Sequence, residues 1–415
     1  MLSGKQPVQV LISSSHDPLW NLAIEDWIFK HCDPRIDTLY LWRNTPVVVI
    51  GKHQNAFAEC RLDKMKEEGV TLARRQTGGG AVYQDLGNTN FTFLTPKSQF
   101  SKERNMEVVI DALSHLGISG AEASGRNDLL VDGKKVSGSA YRLGQKACFH
   151  HGTMMRDVDM SNLGRLLTPN ALKLRSKGVK SVRARVGNLM DFMHADSRSE
   201  LTHSTLCESF TRSFLKSRGL DDISECSAAA LERGIVQVVG DRIPHPDGVD
   251  TQSKYSTEKH AADGDCFGHG GCPSLLTISP ELTDIYSLYS SDKWVFGKEP
   301  SCTGVWEHKF PWGLVSLHGD IKRRCVCGSS LEVSSSSLSM VLTHFFSDAL
   351  SPQFIDCVKD KLCAVPICLD CFDQKRTEIV EYCVCECGDH VREMANDLMT
   401  WLKTQMVHIK TLGGI

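Results

Sequence analysis

Arg74-Arg75-Gln76-Thr77-Gly78-Gly79-Gly80-Ala81-Val82-Tyr83 sets two arginines ahead of three glycines and an apolar strand, with Asp85, Gly87, Asn88 and Asn90 close behind. Glycine lacks a Cβ and tolerates positive φ, so this corner lets backbone N–H groups come close to a phosphate or carboxylate. The arginines add charge and a planar donor fork. A tight turn between strands with an exposed arginine pair uses the same residue types. Two nucleotide motifs are excluded: no Gly-Lys-Ser/Thr follows the glycines, and Tyr83 occupies the last glycine position of a G-x-G-x-x-G.

About 50 residues downstream, Gly125 to Arg142 reads as a hairpin. Asp132-Gly133 is a type I′ turn signal between an apolar strand and one that opens with Lys134 and Lys135. The small residues Ser137, Gly138, Ser139 and Ala140 follow, so a lysine here can project into a pocket walled by backbone. A solvated lysine at a hairpin mouth is the alternative, and Lys134 is read that way.

Together these segments resemble the lipoate-protein ligases, relatives of biotin-protein ligases and octanoyl transferases. The resemblance rests on Trp42-Arg43-Asn44, Val48-Val49-Ile50-Gly51, Gln54-Asn55, the Arg74–Val82 block, and Asp85-x-Gly87-Asn88. It continues through Arg126-Asn127-Asp128, Lys135-x-Ser137-Gly138-x-Ala140, His150-His151-Gly152-Thr153 and Lys177-Gly178-x-x-Ser181-Val182-Arg183-x-Arg185-Val186-x-Asn188-Leu189. These lie in the family's order and cover residues 8 to about 220 densely.

The resemblance implies an α+β fold: a mixed or antiparallel-sheet catalytic domain like that of biotin and lipoate ligases, then a small α+β accessory domain. It implies two steps. Lipoate and ATP give lipoyl-adenylate and pyrophosphate, and a lysine ε-amino group on a lipoyl domain attacks the mixed anhydride, releasing AMP. The implied acceptors are 2-oxoacid dehydrogenase E2 subunits or the glycine cleavage H protein. Joining a carboxylate to the α-phosphate requires fixed positive charge and backbone donors in a water-poor pocket. By resemblance Lys135 is the catalytic residue, touching both carboxyl oxygen and phosphate. Arg75, Gly80, Ala81, Val82, Tyr83, Asn127, Asp128 and Arg183 join it around ATP and the adenylate. Lipoate falls to Lys135, Trp42, Gly79, Gly138, Ala140, Arg142 and His151, and Mg²⁺ to Asp128, since hard oxygen ligands suit magnesium. Asn127 and Asp128 could equally cap the adjacent turn, and Trp42 could be a core strand residue. Gln84 stands where many relatives have histidine, so no proton-transfer role is assigned there. Competing functions are an amidotransferase moving lipoyl or octanoyl groups between proteins without ATP activation, and a non-catalytic lipoyl-domain-binding relative.

At 415 residues with 41% hydrophobic content, two or more cores are expected. The division expected is a catalytic domain over 1–235, an insertion over 240–275 rich in Gly, Asp, His, Ser and Pro, and an accessory domain over 280–415. A net charge of −3 gives no reason to expect nucleic acid or membrane partners, and a monomer is expected. No apolar run is long enough to span a bilayer. Met1 to Pro7 carries neither a secretory signal nor an arginine-rich presequence. A soluble intracellular protein is expected, in the mitochondrial matrix if eukaryotic and the cytoplasm if bacterial.

Periodicity predicts helices over Pro18–Cys32 and Lys102–Leu116, and strands over Thr38–Trp42, Pro46–Ile50, Val70–Arg74, Ala81–Gln84 and Asn90–Leu94. A terminal helix is predicted over Glu378–Met406, breakable at Gly388. By resemblance, the basic segment Lys173–Asn188 closes over the adenylate. Ten of the 17 cysteines follow residue 300, among them Cys325-x-Cys327, Cys368-x-x-Cys371 and Cys383-x-Cys385-x-Cys387. Such spacings can close a tetrahedron around zinc. The last trio falls in a helix-like stretch whose i,i+2 residues diverge, so structural zinc is not expected.

Overall fold

The computed structural model describes residues 7–125, 127–168, 186–220, 236–239, 279–297, 304–322, 339–369 and 372–412. Asp17 opens the first helix, its Oδ1 accepting from the N–H of Leu19 at 2.7 Å and of Trp20 at 2.8 Å, with Pro18 in the first turn. This helix, α1 (Pro18–His31), follows strand β1 (Val8–Ser13). The chain continues through β2 (Asp37–Trp42), β3 (Val47–Ile50), the short helices α2 (Ala56–Glu59) and α3 (Leu62–Glu67), β4 (Thr71–Arg74), β5 (Val82–Gln84) and β6 (Asn88–Pro96). Helix α4 (Lys102–His115) leads to β7 (Ala121–Ser124), β8 (Asp128–Val131), β9 (Lys134–Leu143) and β10 (Ala147–Met155). Helices α5 (Ser161–Leu166) and α6 (His203–Lys216) and strand β11 (Val236–Val239) follow.

These strands form an eight-stranded mixed sheet, in the order β11-β1-β2-β6-β10-β9-β8-β7, and a three-stranded sheet, β4-β3-β5. The pleat sends alternate residues to opposite faces. One face carries Val10, Leu39, Phe91, Phe93 and Met154 against α4 and α6. The other carries Tyr40, Trp42, Leu94 and Phe149 against α1 and the inner residues Val47, Val49 and Ala73 of the small sheet. The predicted hairpin turn is present: Asp132 and Gly133 both adopt positive φ, 48° and 74°, joining β8 to β9. A register shift between Leu129 and Leu130 sets Lys135 opposite Leu130 and Gly138 opposite Asp128.

Helices α7 (Pro280–Tyr289) and α8 (Asp292–Val295) come next; Leu282, Ile285 and Tyr289 pack into the same cluster as Trp20 and Ile24 of α1. A second core surrounds an antiparallel sheet of β12 (Gly304–Phe310), β13 (Gly313–Lys322), β14 (Ser339–Ser347) and β15 (Pro366–Cys368). Helices α9 (Pro352–Leu362), α10 (Phe372–Cys387) and α11 (Arg392–Leu412) complete it. The terminal helix is divided where the sequence allowed a break: Gly388 takes φ 96°, a conformation costly for any residue with a Cβ. The predicted insertion, most of the segment Lys173–Asn188, and Cys325, Cys327 and Cys371 lie outside the described residues.

Candidate active site

Several of the predicted site residues lie on the face of the large sheet that meets α1 and the small sheet, whereas the Tyr83 side chain packs beyond the small sheet with Val48 and Met155 and its hydroxyl accepts from Asn162 Nδ2 at 2.7 Å. Register pairs Trp42 with Asn90, Tyr40 with Thr92, Thr92 with His151, Ala140 with His151, and Gly138 with Thr153, so all of them share that face. Lys135 Nζ lies 2.6 Å from Asp128 Oδ1. A Cβ on Gly138 would stand 3.0 Å from the same Nζ, so a glycine here gives the lysine room against the strand. Lys135 O accepts from Gly187 N at 3.0 Å, which docks the end of the basic segment beside the lysine. Asn127 Nδ2 donates to Ser139 O at 3.3 Å. Arg183 lies outside the described residues.

The three glycines of the loop have different reasons to be glycine. Gly79 takes φ 91°, a Cβ on Gly78 would fall 1.8 Å from Ala349 O, and around a Cβ on Gly80 there is open space. Among the described residues, no acceptor takes the N–H of Gly80 or Ala81, whereas Gly79 N donates to Ala349 O at 3.3 Å. The second domain therefore rests directly on the loop. Its contact is extended by Ser347 N donating to His53 O at 2.9 Å and by Lys52 Nζ, 2.6 Å from Asp356. His53 Nε2–H donates to Pro352 O at 3.2 Å, leaving Nδ1 to accept from Lys359 Nζ at 3.1 Å. Burial first, then the charges of Lys359 and Lys52, hold the His53 imidazole well below its usual range, so it stays neutral.

Both arginines are placed differently from the expectation that they face an anion. Arg75 is buried, and its guanidinium donates to Thr77 Oγ1 at 3.0 Å, Val49 O at 3.0 Å, Gly78 O at 2.7 Å and Gly80 O at 2.9 Å. Arg74 donates to the carbonyls of Gly51, Lys52 and Gln54 and to those of Trp294 and Val295. Carbonyl oxygens of two loops outcompete solvent for these forks, because a buried carbonyl left unpaired costs roughly 1–3 kcal/mol. Burial lowers both guanidinium groups to about 10, so they remain charged at neutral pH. Arg142 is likewise committed, its Nη1 lying 2.6 Å from Asp26 Oδ1.

Two acids on α1 were not singled out from the sequence. Asp26 holds Arg142, and Glu25, 5% exposed, receives Thr92 Oγ1 at 2.6 Å and His151 Nδ1 at 2.8 Å. The signal was present: Glu25 and Asp26 interrupt the apolar run from Leu22 to Ile28, and a helix buried almost all round must pair its charges. Asn88 Oδ1 is also buried with no partner among the described residues, on the site face through its pairing with Met155.

Of the residues expected at a magnesium ion, Asp128 offers one carboxylate, with Oδ1 paired to Lys135 Nζ at 2.6 Å. Among the described residues, no group of three or more His, Cys, Asp or Glu side chains could hold a metal ion. Burial raises the thiols of Cys148 and Cys207 and takes Cys60 up to about 12, which leaves none of them a ready nucleophile. No described helix is long and apolar enough to cross a membrane.

The chain matches the lipoyl protein ligase A/B catalytic domain over residues 17–215. It is similar to Lipoate-protein ligase A of Psychrobacter cryohalolentis, 38% identical over 358 residues that cover 86% of this chain and 88% of that protein. It is similar also to Lipoate-protein ligase A of Bdellovibrio bacteriovorus, 51% identical over 209 residues that cover 49% of this chain and 61% of that protein. In fold it resembles the crystal structure of P. falciparum LipL1 in complex with lipoate, with a TM-score of 0.68 and 23% identity over 96% of this chain and 99% of that one.

Proposed function

Because this chain belongs to the lipoate-protein ligase family, we propose that it activates lipoate with ATP and transfers the lipoyl group to a lysine of a lipoyl domain. The observation that carries the site assignment is Lys135 Nζ beside Asp128 and against the bare backbone of Gly138. In the first step a carboxylate oxygen of lipoate bonds to the α-phosphorus of ATP and the α–β anhydride bond breaks, with pyrophosphate leaving. In the second the neutral amine of the acceptor lysine attacks the acyl carbon, the bond to AMP breaks, and the amine gives up a proton. Negative charge grows on the acyl and phosphoryl oxygens in both steps, so one fixed ammonium group serves both.

The remaining roles follow from position. The N–H groups of Gly80 and Ala81 supply donors to the adenylate, Val82 and Tyr83 extend that edge, and Gly79 becomes available when its bond to Ala349 opens. Trp42, Ala140, Arg142 and His151 line the acyl side. Asp128 would hold Mg²⁺ brought with ATP, which would neutralise phosphate charge there. Arg183 and the closing of its segment stay part of this reading on family grounds alone. Lipoyl domains of E2 subunits or of the H protein are the acceptors proposed, and a monomer is proposed as the working unit.

Lys135→Ala is expected to lower both lipoate-dependent pyrophosphate exchange into ATP and lipoyl transfer by about 100-fold or more, with an unchanged unfolding midpoint. Near-normal lipoylation by that variant would remove Lys135 from the chemistry. Transfer without pyrophosphate exchange in the natural protein would instead favour the ATP-independent amidotransferase.

A further inference from the structure

Glu25, His151, Thr77 and Arg75 form a continuous buried chain. None is more than 8% exposed, and the links measure 2.8 Å from Glu25 Oε1 to His151 Nδ1, 2.8 Å from His151 Nε2 to Thr77 Oγ1, and 3.0 Å from Arg75 Nε to Thr77 Oγ1. The chemistry of the ends sets its direction. A carboxylate oxygen accepts, so His151 donates from Nδ1; an imidazole carrying only that proton accepts at Nε2, where the Thr77 hydroxyl donates to it. The Thr77 oxygen is thereby turned to accept from Arg75 Nε, and a guanidinium, which only donates, satisfies that demand. Of the rest of the fork, Nη2 donates to Gly78 O and Gly80 O, the carbonyls that bracket Gly79, and Nη1 donates to Val49 O.

We infer that Glu25 is a positioning residue: acting through His151 and Thr77, it holds Arg75 in the orientation that orders the glycine loop for the nucleotide. This rests on the ligase reading given above and deepens it, because it makes the acyl-side wall and the nucleotide loop one hydrogen-bonded unit. Thr92 anchors the far end. Its Oγ1 donates to Glu25 at 2.6 Å and accepts from Trp42 Nε1 at 3.4 Å, so the wall residue Trp42 joins the same network. A glutamine at 25 keeps the shape but presents a donor as well as an acceptor, so the direction of the chain is no longer imposed.

The test uses the full-length protein with Glu25→Gln, Thr77→Val and both together. Amide hydrogen exchange in the peptide spanning residues 76–83 is expected to quicken about tenfold in either single variant, with no further gain in the double. Unchanged protection in Glu25→Gln, or effects that multiply in the double variant, overturns the inference. In pyrophosphate exchange, Glu25→Gln is expected to raise the KM for ATP about tenfold while the half-saturating lipoate concentration moves less than about twofold. A change confined to lipoate also overturns it, leaving Glu25 a wall residue only. Should Glu25→Gln fail to fold, Thr77→Ser, which keeps the hydroxyl, is expected to retain protection that Thr77→Val loses; equal protection in the two counts against the chain. A natural protein without pyrophosphate exchange defeats the ligase reading alone, since amide exchange decides the positioning role independently.

Discussion

Arg75 shows how a residue type can be read correctly and its target missed. Arginine was expected where an anion binds, yet the fork serves carbonyls of Val49, Gly78 and Gly80. The loop's positive character then lies in its N–H groups, with Arg75 holding the backbone that presents them. Lysine cannot replace it, because a single ammonium cannot span three divergent carbonyls and a hydroxyl at once. Arg75→Lys is therefore expected to lose about 2 kcal/mol of stability and to raise the KM for ATP more than that for lipoate. A denaturant midpoint matching the natural protein would contradict the structural half of that expectation.

Among the elements, β10 carries opposite demands on its two faces. His151 points into the site, whereas His150 points into the core beneath α4, with its ring centroid 4.5 Å from Tyr141 and 5.7 Å from Phe91. Neither nitrogen of His150 has a partner among the described residues, and burial lowers its pKa to about 3. The unfolded chain binds this proton below about pH 6.5, whereas the folded chain refuses it until about pH 3. Stability contributed by the neutral imidazole is therefore full above that window and falls as pH drops through it. The loss from His150 alone is about 2 kcal/mol by pH 5. Thermal unfolding between pH 7.5 and 5 should follow this slope, and His150→Phe, which suits the aromatic surroundings, should flatten it. An equal slope in both proteins would show that other groups carry the acid sensitivity.

At the scale of the whole molecule, the second domain sits on the glycine loop through Ala349 and on the turn after β3 through Ser347, Pro352, Asp356 and Lys359. Gly78 allows this approach because it has no Cβ. A Cβ added there would meet backbone atoms on both Ala349 and Leu350, which cannot rotate away as a flexible side chain would. Gly78→Ala is accordingly expected to move the accessory domain off the loop, seen as a larger radius of gyration in solution scattering and faster proteolysis after the catalytic core. Scattering indistinguishable from that of the natural protein would show that the contact does not hold the domains together.

Local chemistry decided much of this molecule in advance. The Asp132-Gly133 turn, the capped start of α1, the break at Gly388 and the alternating strands are set by backbone preferences that act within a few residues. The order of motifs, with Lys135 after the glycine block, likewise named the family from sequence alone. What only the tertiary structure decided is partner choice: Glu25 with His151, 126 residues away; His151 with Thr77, 74 residues away; and the loop with Ala349. Those pairings depend on which face each strand turns inward and on the register that sets His151 of β10 opposite Thr92 of β6. A buried donor or acceptor must be satisfied by whatever the fold brings within reach, and that neighbour is not written beside it in the chain.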